Sequence, residues 1–291
     1  MAEKTGKAPK IWLNGELVAR KDAKISVFDH GLLYGDGVFE GIRSYGGKVF
    51  RLEKHIRRLF DSARGIRLEI RMAPERLANA VVRTLRASGR KNAYIRVVVT
   101  RGVGTLGLNP NRCRKPSIFI IVDRIQLYAK KVYDNGMAII TAATMRNHPN
   151  AVNPRLKSLN YLNNILAKVE AIDAETDEAV MLNHLGYVAE CTGDNIFIVR
   201  DQRLLTPPIA AGILEGITRD EIIDIARNAG IEVREENLTR QDLYTADECF
   251  LTGTAAEVVP VVEIDKRTIG EGKPGLVTKR LAEEFHRRTR I

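Results

Sequence analysis

The feature that most constrains this chain is a change of hydrophobic period about fifty residues in. Between Ile11 and Phe50 the apolar residues fall in short runs, KIWLNGEL and KVFRL among them, broken by Gly and Asn-Gly, the pattern of strands joined by tight turns. Between Glu53 and Arg64 the spacing of His55, Leu59 and Phe60 is helical, and it is helical again from Pro74 to Ser88, where Gly89 supplies a stop. Two β-branched runs, Tyr94 to Thr100 and Ser117 to Val122, then bracket a loop rich in Gly, Pro and Asn. Strands, helices and strands in that order predict an α+β unit.

The second half alternates more regularly. A strand (Met137 to Thr144), a helix (Leu159 to Ala174), a hairpin (Glu178 to Arg200), a helix (Thr218 to Asn228), strands from Glu248 to Ile264 and a closing helix are expected, which is an α/β arrangement. A chain of 291 residues, 44% hydrophobic, can bury one large core or two modest ones. The predicted organisation is a smaller N-terminal domain over residues 1–123, an interdomain linker over 124–136, where Lys, Tyr, Asp and Gly separate two apolar runs, and a larger domain over 137–291.

Several function classes drop out on composition. The longest apolar stretches, such as Asn195 to Val199 and Ala255 to Val262, fall far short of the roughly 20 residues that span a bilayer. The tail Met1 to Lys10 is basic but lacks the apolar region and cleavage site of a signal peptide, so cytoplasmic residence is the expectation. Cys113, Cys191 and Cys249 form neither a CxxC pair nor a Cys/His cluster, which argues against zinc, any other metal centre and a disulfide framework. Residues 1–125 hold 26 Lys+Arg against 11 Asp+Glu, a net +15, and residues 126–291 hold 20 against 25, a net −5. Such asymmetry suits nucleic acid, an anionic ligand or two mutually attracting halves. Nucleic acid is disfavoured, because acids interrupt the basic run from Arg57 to Arg76 and no aromatic residues are interleaved for base stacking.

Candidate chemistry lies in seven short segments. Lys157, in RLKSLNY, precedes the amphipathic run Leu159, Leu162, Ile165, Leu166, Val169, so it is expected at a helix N-terminus. The macrodipole there, together with Arg155, would favour the neutral nucleophilic amine, and Tyr161 would share its helix face. A solvated surface lysine is the competing reading. Glu190, in YVAECTGDNIF, ends a strand beside a Gly turn, where it is either an exposed strand-end acid or the partner of a protonated ring nitrogen. The sequence GITRDE opens an apolar-periodic helix and reads as an anion site, as a capping box of Thr218 and Glu221, or as both. LTGTAAE is a small-residue turn that lets backbone approach a ligand. Arg58 shares a predicted helix with His55 and could grip a phosphate. Tyr94 and Arg96, two apart on a strand, face one way and could meet a carboxylate. In YGDGVFEGIR the glycines point to close packing beside Tyr34, Phe39 and Arg43.

YGDGVFEGIR, AYIR, KSLNY, AECTGDNIF, LEGITRDEI and GTAAE, in this order and spacing across nearly the whole chain, resemble the class IV aminotransferases, which are fold type IV pyridoxal phosphate enzymes of the D-aminotransferase-like fold, and most nearly the branched-chain amino acid aminotransferases. The resemblance implies a two-domain fold of α/β and α+β character and pyridoxal 5'-phosphate as cofactor. It implies that Lys157 bonds the cofactor and shuttles the substrate proton, that Glu190 pairs with the pyridine nitrogen, and that Tyr161 bonds the phenolic oxygen. It implies that Arg58, Ile217, Thr218 and Thr254 hold the phosphate. By the same resemblance, substrate recognition falls to Tyr34, Phe39, Arg43, Tyr94, Arg96, Thr254 and Ala255, with Leu106 and Leu108 supplied by a neighbouring subunit of a homodimer or higher homo-oligomer. The reaction implied is transfer of the amine of L-leucine, L-isoleucine or L-valine to 2-oxoglutarate, as in branched-chain amino acid biosynthesis, giving 2-oxo acids and L-glutamate. The short Lys-to-Tyr spacing in KSLNY also resembles the D-amino acid branch. Transamination of D-amino acids or (R)-amines is therefore the runner-up, ahead of aminodeoxychorismate lyase activity and of a basic nucleic-acid-binding protein.

Overall fold

The computed structural model describes residues 10–124 and 128–290. All but Lys10 of the basic N-terminal tail, and residues 125–127 of the expected linker, lie outside the described residues. The chain divides into two compact units, one formed by Met1–Ile125 with Leu156–Asn160, the other by Gln126–Arg155 with Tyr161–Ile291.

The first unit holds β1 (Lys10–Leu13), β2 (Glu16–Ala19), α1 (His30–Tyr34), β3 (Gly37–Tyr45), β4 (Lys48–Val49), α2 (Leu52–Gly65), α3 (Pro74–Ser88), β5 (Ala93–Thr100) and β6 (Ser117–Asp123). The strands make one sheet in the order β2-β1-β6-β5-β3-β4, antiparallel at every pairing. Asn14 and Gly15 turn β1 into β2 with φ of 49° and 113°, the positive-φ pair that a two-residue hairpin demands. α3 starts with Pro74 in its first turn and stops at Gly89, where φ is 69°, so both boundaries follow from local stereochemistry. The inner faces of α2 and α3 bury Ile56, Leu59, Leu77, Val81 and Leu85 against Trp12, Ile42, Ile95, Val97 and Ile120 of the sheet. Each such side chain contributes roughly 1.5–3 kcal/mol relative to exposure.

The second unit holds α4 (Lys130–Asn135), β7 (Met137–Thr141), α5 (Leu162–Asp173), β8 (Glu178–Leu182), β9 (Val188–Cys191), β10 (Asn195–Arg200), β11 (Arg203–Thr206), α6 (Ile217–Asn228), β12 (Val233–Glu235), α7 (Arg240–Tyr244), β13 (Glu248–Gly253), β14 (Glu257–Ile264), β15 (Arg267–Thr268) and α8 (Leu276–Thr289). Its sheet runs β12-β11-β10-β13-β14-β7-β8-β9, with β15 paired to β14. It is mixed, being parallel at β11–β12, β14–β7 and β7–β8. The four successive residues Ile196, Phe197, Ile198 and Val199 are all buried, as expected of a strand covered on both faces.

Three expectations need correction. The segment expected as linker contains α4, whose Val132 belongs to the second unit's core together with Ile139, Ile198 and Leu251. The turn-like composition of 124–136 hid a single short amphipathic turn. The helix expected from Leu159 begins at Leu162, with Tyr161 at its N-cap. The preceding five residues belong to the first unit instead, because their backbone pairs with β3: Phe39 N–H donates to Lys157 O at 2.9 Å and Leu159 N–H to Gly37 O at 3.0 Å. Finally, α6 has Gly216 rather than Thr218 at its N-cap, and Glu221, expected to close a capping box, is fully buried with Arg288 at 3.3 Å.

Candidate active site

Each unit carries its own set of functional groups. In the first unit the strand-like segment at Lys157 decides what the lysine can do. Its N–H donates to Ser62 Oγ of α2 at 3.1 Å and Val38 bridges Ser158, so the backbone is fixed on both sides. Its ammonium nitrogen lies 4.6 Å from the centre of the Phe39 ring. No helix dipole acts on this lysine as expected, since the helical field falls off within the first turn and α5 begins five residues later. Tyr161, at that N-cap, does not share a helix face with Lys157.

Strand alternation sorts the remaining residues of this unit onto two faces. Arg43 pairs in register with Tyr94, Gly41 with Arg96 and Phe39 with Val98, so Phe39, Arg43, Tyr94 and Arg96 project to one side. The Arg96 guanidinium lies 4.3 Å above the Phe39 ring, and its Nη2 donates to Tyr94 Oη at 3.0 Å. Gly41 makes this possible, because a Cβ there would sit 2.1 Å from Tyr94 Oη. The result is a wall with an aromatic floor and a positioned cation.

On the opposite side of β3, Glu40 is fully buried. Arg58 donates to it through Nε at 2.7 Å and Nη2 at 2.8 Å, and His55 Nδ1 lies 2.7 Å from its second oxygen. Burial alone would raise the Glu40 pKa, but Arg58 and His55 outweigh it and hold the carboxyl at about 2. Burial lowers the His55 pKa, with Glu40 opposing and Arg58 and Lys157 adding to the fall. Arg58 is thus braced by a carboxylate rather than loose on a helix. Tyr34 closes α1 and accepts from Gly107 N–H at 2.9 Å, which ties α1 to the loop carrying Leu106 and Leu108, 70% and 82% exposed.

In the second unit Glu190, near the end of β9, is 5% exposed and surrounded by donors. Arg146 Nε and Nη2 both reach its Oε1 at 2.9 Å, while Asn195 Nδ2 at 3.1 Å and Leu214 N–H at 3.0 Å serve Oε2. Arg146 is in turn oriented by Asn147 and by Asn164 of α5, at 3.0 and 3.1 Å. A buried cation and two further N–H donors thus surround the carboxylate. Asn195 also connects Glu190 to the start of α6. Its Oδ1 lies 1.9 Å from where a Cβ on Gly216 would be, so only glycine fits this N-cap.

Ile217 and Thr218 follow Gly216, buried, in a helix whose glycine N-cap has no side chain to offer its first N–H groups. The first N–H groups of α6 have no partner within the helix and present an anion site. Asn195 pairs in register with Thr252, whose hydroxyl is buried with no hydrogen-bond partner among the described residues. Thr254 and Ala255 follow in the turn from β13 to β14. The Cβ of a substituted Gly253 would fall 1.8 Å from Asp194 Oδ1.

The structure therefore groups Lys157, Phe39, Arg43, Tyr94 and Arg96 in one unit, and Glu190, Ile217 and Thr218, with Thr254 and Ala255 in the adjoining turn, in the other. The groups that hold these in place were not foreseen from the sequence, namely Glu40 and His55 as partners of Arg58, and Arg146, Asn164 and Asn195 around Glu190. Two had a local signal: Asn195, five residues after the acid in the same glycine turn, and His55, three residues before Arg58 on its predicted helix. Among the described residues no cluster of three or more His, Cys, Asp or Glu suits a metal, and no helix is long and apolar enough to cross a membrane.

Residues 37–264 match the model of the family described as amino-transferase class IV. A Methanocaldococcus jannaschii chain that carries the provisional name of branched-chain-amino-acid aminotransferase is 54% identical over 276 residues, covering 95% of each chain. The crystal structure of the Escherichia coli branched-chain amino acid aminotransferase superposes with a TM-score of 0.94 at 39% identity, over 96% of this chain and 94% of that one. That of the T.th. branched-chain amino acid aminotransferase complexed with N-(5'-phosphopyridoxyl)-L-glutamate gives 0.91 at 41% identity, over 97% and 94%.

Proposed function

Because the chain belongs to the class IV aminotransferases, we propose that it transfers the amino group of branched-chain L-amino acids to 2-oxoglutarate with the aid of pyridoxal 5'-phosphate. The observation that carries this reading is the donor cage around Glu190, joined through Asn195 to the uncapped start of α6. A buried anion beside an anion-binding helix start suits a molecule with a protonated ring nitrogen and a phosphate at opposite ends. The Thr252 hydroxyl, buried without a hydrogen-bond partner among the described residues, and Gly216 and Gly253, where a Cβ would meet Asn195 and Asp194, fit a group that approaches the backbone closely.

The bound cofactor supplies an electron sink for the pair left on the substrate Cα when its proton departs. The protein's own residues do the rest. Lys157 would be the residue that holds the cofactor covalently, and its amine is the group that would take up the substrate Cα proton and give it back. Glu190 would pair with the protonated ring nitrogen, and Arg146 fixes where its carboxylate sits. Tyr161 donates to the phenolic oxygen. The α6 N–H groups at Ile217 and Thr218, with Thr254 and Arg58, bind the phosphate, and the Glu40 brace fixes where Arg58 points.

Arg96 and Arg43 attract carboxylates, with Tyr94 orienting Arg96. Phe39 supplies an apolar wall for a branched side chain, and Tyr34 and Ala255 complete the recognition. Leu106 and Leu108 extend the wall into the site of a neighbouring subunit, so the working unit is a homodimer or larger. The names of the related enzymes support the branched-chain preference over D-amino acids, and the phosphopyridoxyl-glutamate complex of the T.th. enzyme supports glutamate as the partner amine. Protein loaded with the cofactor should lose its aldehyde absorbance with L-leucine and regain it with 2-oxoglutarate. Faster loss with D-alanine or (R)-1-phenylethylamine would overturn the substrate assignment, and borohydride label on a lysine other than Lys157 would overturn the site.

A further inference from the structure

We infer that the first unit carries a separate binding site for a small polyanion, at the base of the loop that joins β5 to β6. A cavity of about 280 Å³ opens there, lined by Arg67, Arg71, Arg101, Arg114 and Lys115 with Glu69 as its acid. Arg101 is not available to a ligand. Its Nε and Nη2 hold Asp36 at 2.9 Å each, and Nη1 and Nη2 donate to the carbonyls of Arg67 and Ile66 at 2.6 and 2.7 Å.

Arg101 acts instead as a brace, and it holds Arg67 in a left-handed backbone conformation, φ 53°, which non-glycine residues seldom adopt. The opposite wall is pinned at Gly102, φ 91°, where a Cβ would lie 1.8 Å from Lys115 O. Two constrained backbone points thus draw Arg67, Arg114 and Lys115 around one cavity. None of these three forms an ion pair among the described residues, and Arg71 shares only an exposed contact with Glu69 at 3.5 Å, of a kind that is worth little.

Arg67, Arg114 and Lys115 stand exposed around one cavity without a counterion among the described residues, so their mutual repulsion is screened by water, and an anion that bridges them gains from all three charges at once. The volume and the number of charges match two adjacent phosphate or carboxylate groups better than one. Diphosphates and compact tricarboxylates are therefore the ligand class. The same loop carries Leu106 and Leu108 and is tied to Tyr34 through Gly107, so occupancy should order it.

The test is calorimetric titration of cofactor-saturated protein, whose own phosphate site is filled, with inorganic pyrophosphate, citrate and inorganic phosphate at low salt. Pyrophosphate or citrate should bind more tightly than phosphate. The Arg67→Ser/Arg114→Ser double variant should bind about tenfold or more weakly, and high salt should weaken the wild type. Amide exchange over 101–117 should slow on binding. Should the double variant unfold, which its melting curve and cofactor absorbance would reveal, Lys115→Gln serves in its place with the same expectation. Absence of binding to the wild type, or equal binding by the folded variant, overturns the site.

Discussion

Glu190 shows how one residue's chemistry depends on partners far away in sequence. Its two oxygens take four donors from Arg146, Asn195 and Leu214, and the carboxylate and Arg146 are desolvated together. Replacing one partner of a buried pair is costlier than losing both. Arg146→Met should therefore destabilise the fold by about 3–5 kcal/mol and should also lower activity, and Glu190→Gln, whose amide NH2 can accept from none of the donors it would face and which leaves Arg146 unpaired, should destabilise the fold as well as lose rate. We expect at least about a hundredfold fall in kcat for Glu190→Gln, measured with L-leucine on the folded fraction, together with a lowered melting temperature as in Arg146→Met. Lys157→Ala should remove at least about a thousandfold of kcat while leaving the circular dichroism unchanged.

Acid stability belongs to the same scale. Glu40 has its pKa depressed from 4.5 to about 2, so the unfolded chain takes up a proton at this site before the folded one does. The stability it contributes is complete above the unfolded value and is lost as pH falls through the folded one, a window from about 5 to about 2 worth about 3 kcal/mol. His55, also depressed, acts with the same sign at higher pH, because unfolding releases a neutral imidazole that protonates below its ordinary 6.5. Urea unfolding midpoints should fall steadily from pH 7 downward and drop more steeply below about 5. A Glu40→Gln variant should be less stable at neutral pH yet flatter in its acid profile, and a variant that kept the wild-type slope would contradict this assignment.

At the scale of elements, Gly216 is the position where geometry makes the sharpest demand. A Cβ there would overlap Asn195 Oδ1, so Gly216→Ala must push the amide that joins Glu190 to the start of α6. Cofactor affinity should fall by about tenfold or more, read by equilibrium dialysis, while Gly46→Ala, with open space around its Cβ and only a positive-φ cost of its own, should leave it unchanged. The elements themselves were legible in proportion to how local their causes are. α3 could be read to the residue, since Pro74 and Gly89 mark its ends and its apolar period is unbroken. α5 could not, because what ends the segment before it is pairing of Lys157 and Leu159 with β3, more than a hundred residues away, and no local pattern encodes a distant strand. α6 was placed correctly but capped wrongly, as Thr218 and Glu221 fit a capping box on paper while Glu221 is buried against Arg288. The site followed the same rule: Lys157, Glu190 and the α6 start stood out in short motifs and His55 stood on the predicted helix of Arg58, whereas Arg146 had no signal until folding brought it to its carboxylate.

For the whole molecule the decisive question is whether one chain suffices. Leu106 and Leu108 are among the most exposed large apolar side chains described, and a monomer gains nothing from presenting two leucines to water. If they finish the apolar wall of a neighbour's site, a Leu106→Ser/Leu108→Ser variant should fold normally, since neither side chain is packed, yet lose affinity for leucine by about tenfold or more. Complementation separates this from a role within the same chain. A Lys157→Ala chain keeps an intact loop, and the loop variant keeps an intact lysine, so each fails alone for a different reason. Co-refolded in equal amounts, half of the dimers are mixed, and in each mixed dimer one site receives a good lysine from one chain and a good loop from the other. About a quarter of the wild-type activity at low leucine concentration should then return. A loop that served its own chain would leave every site with at least one defect, and mixing would restore nothing.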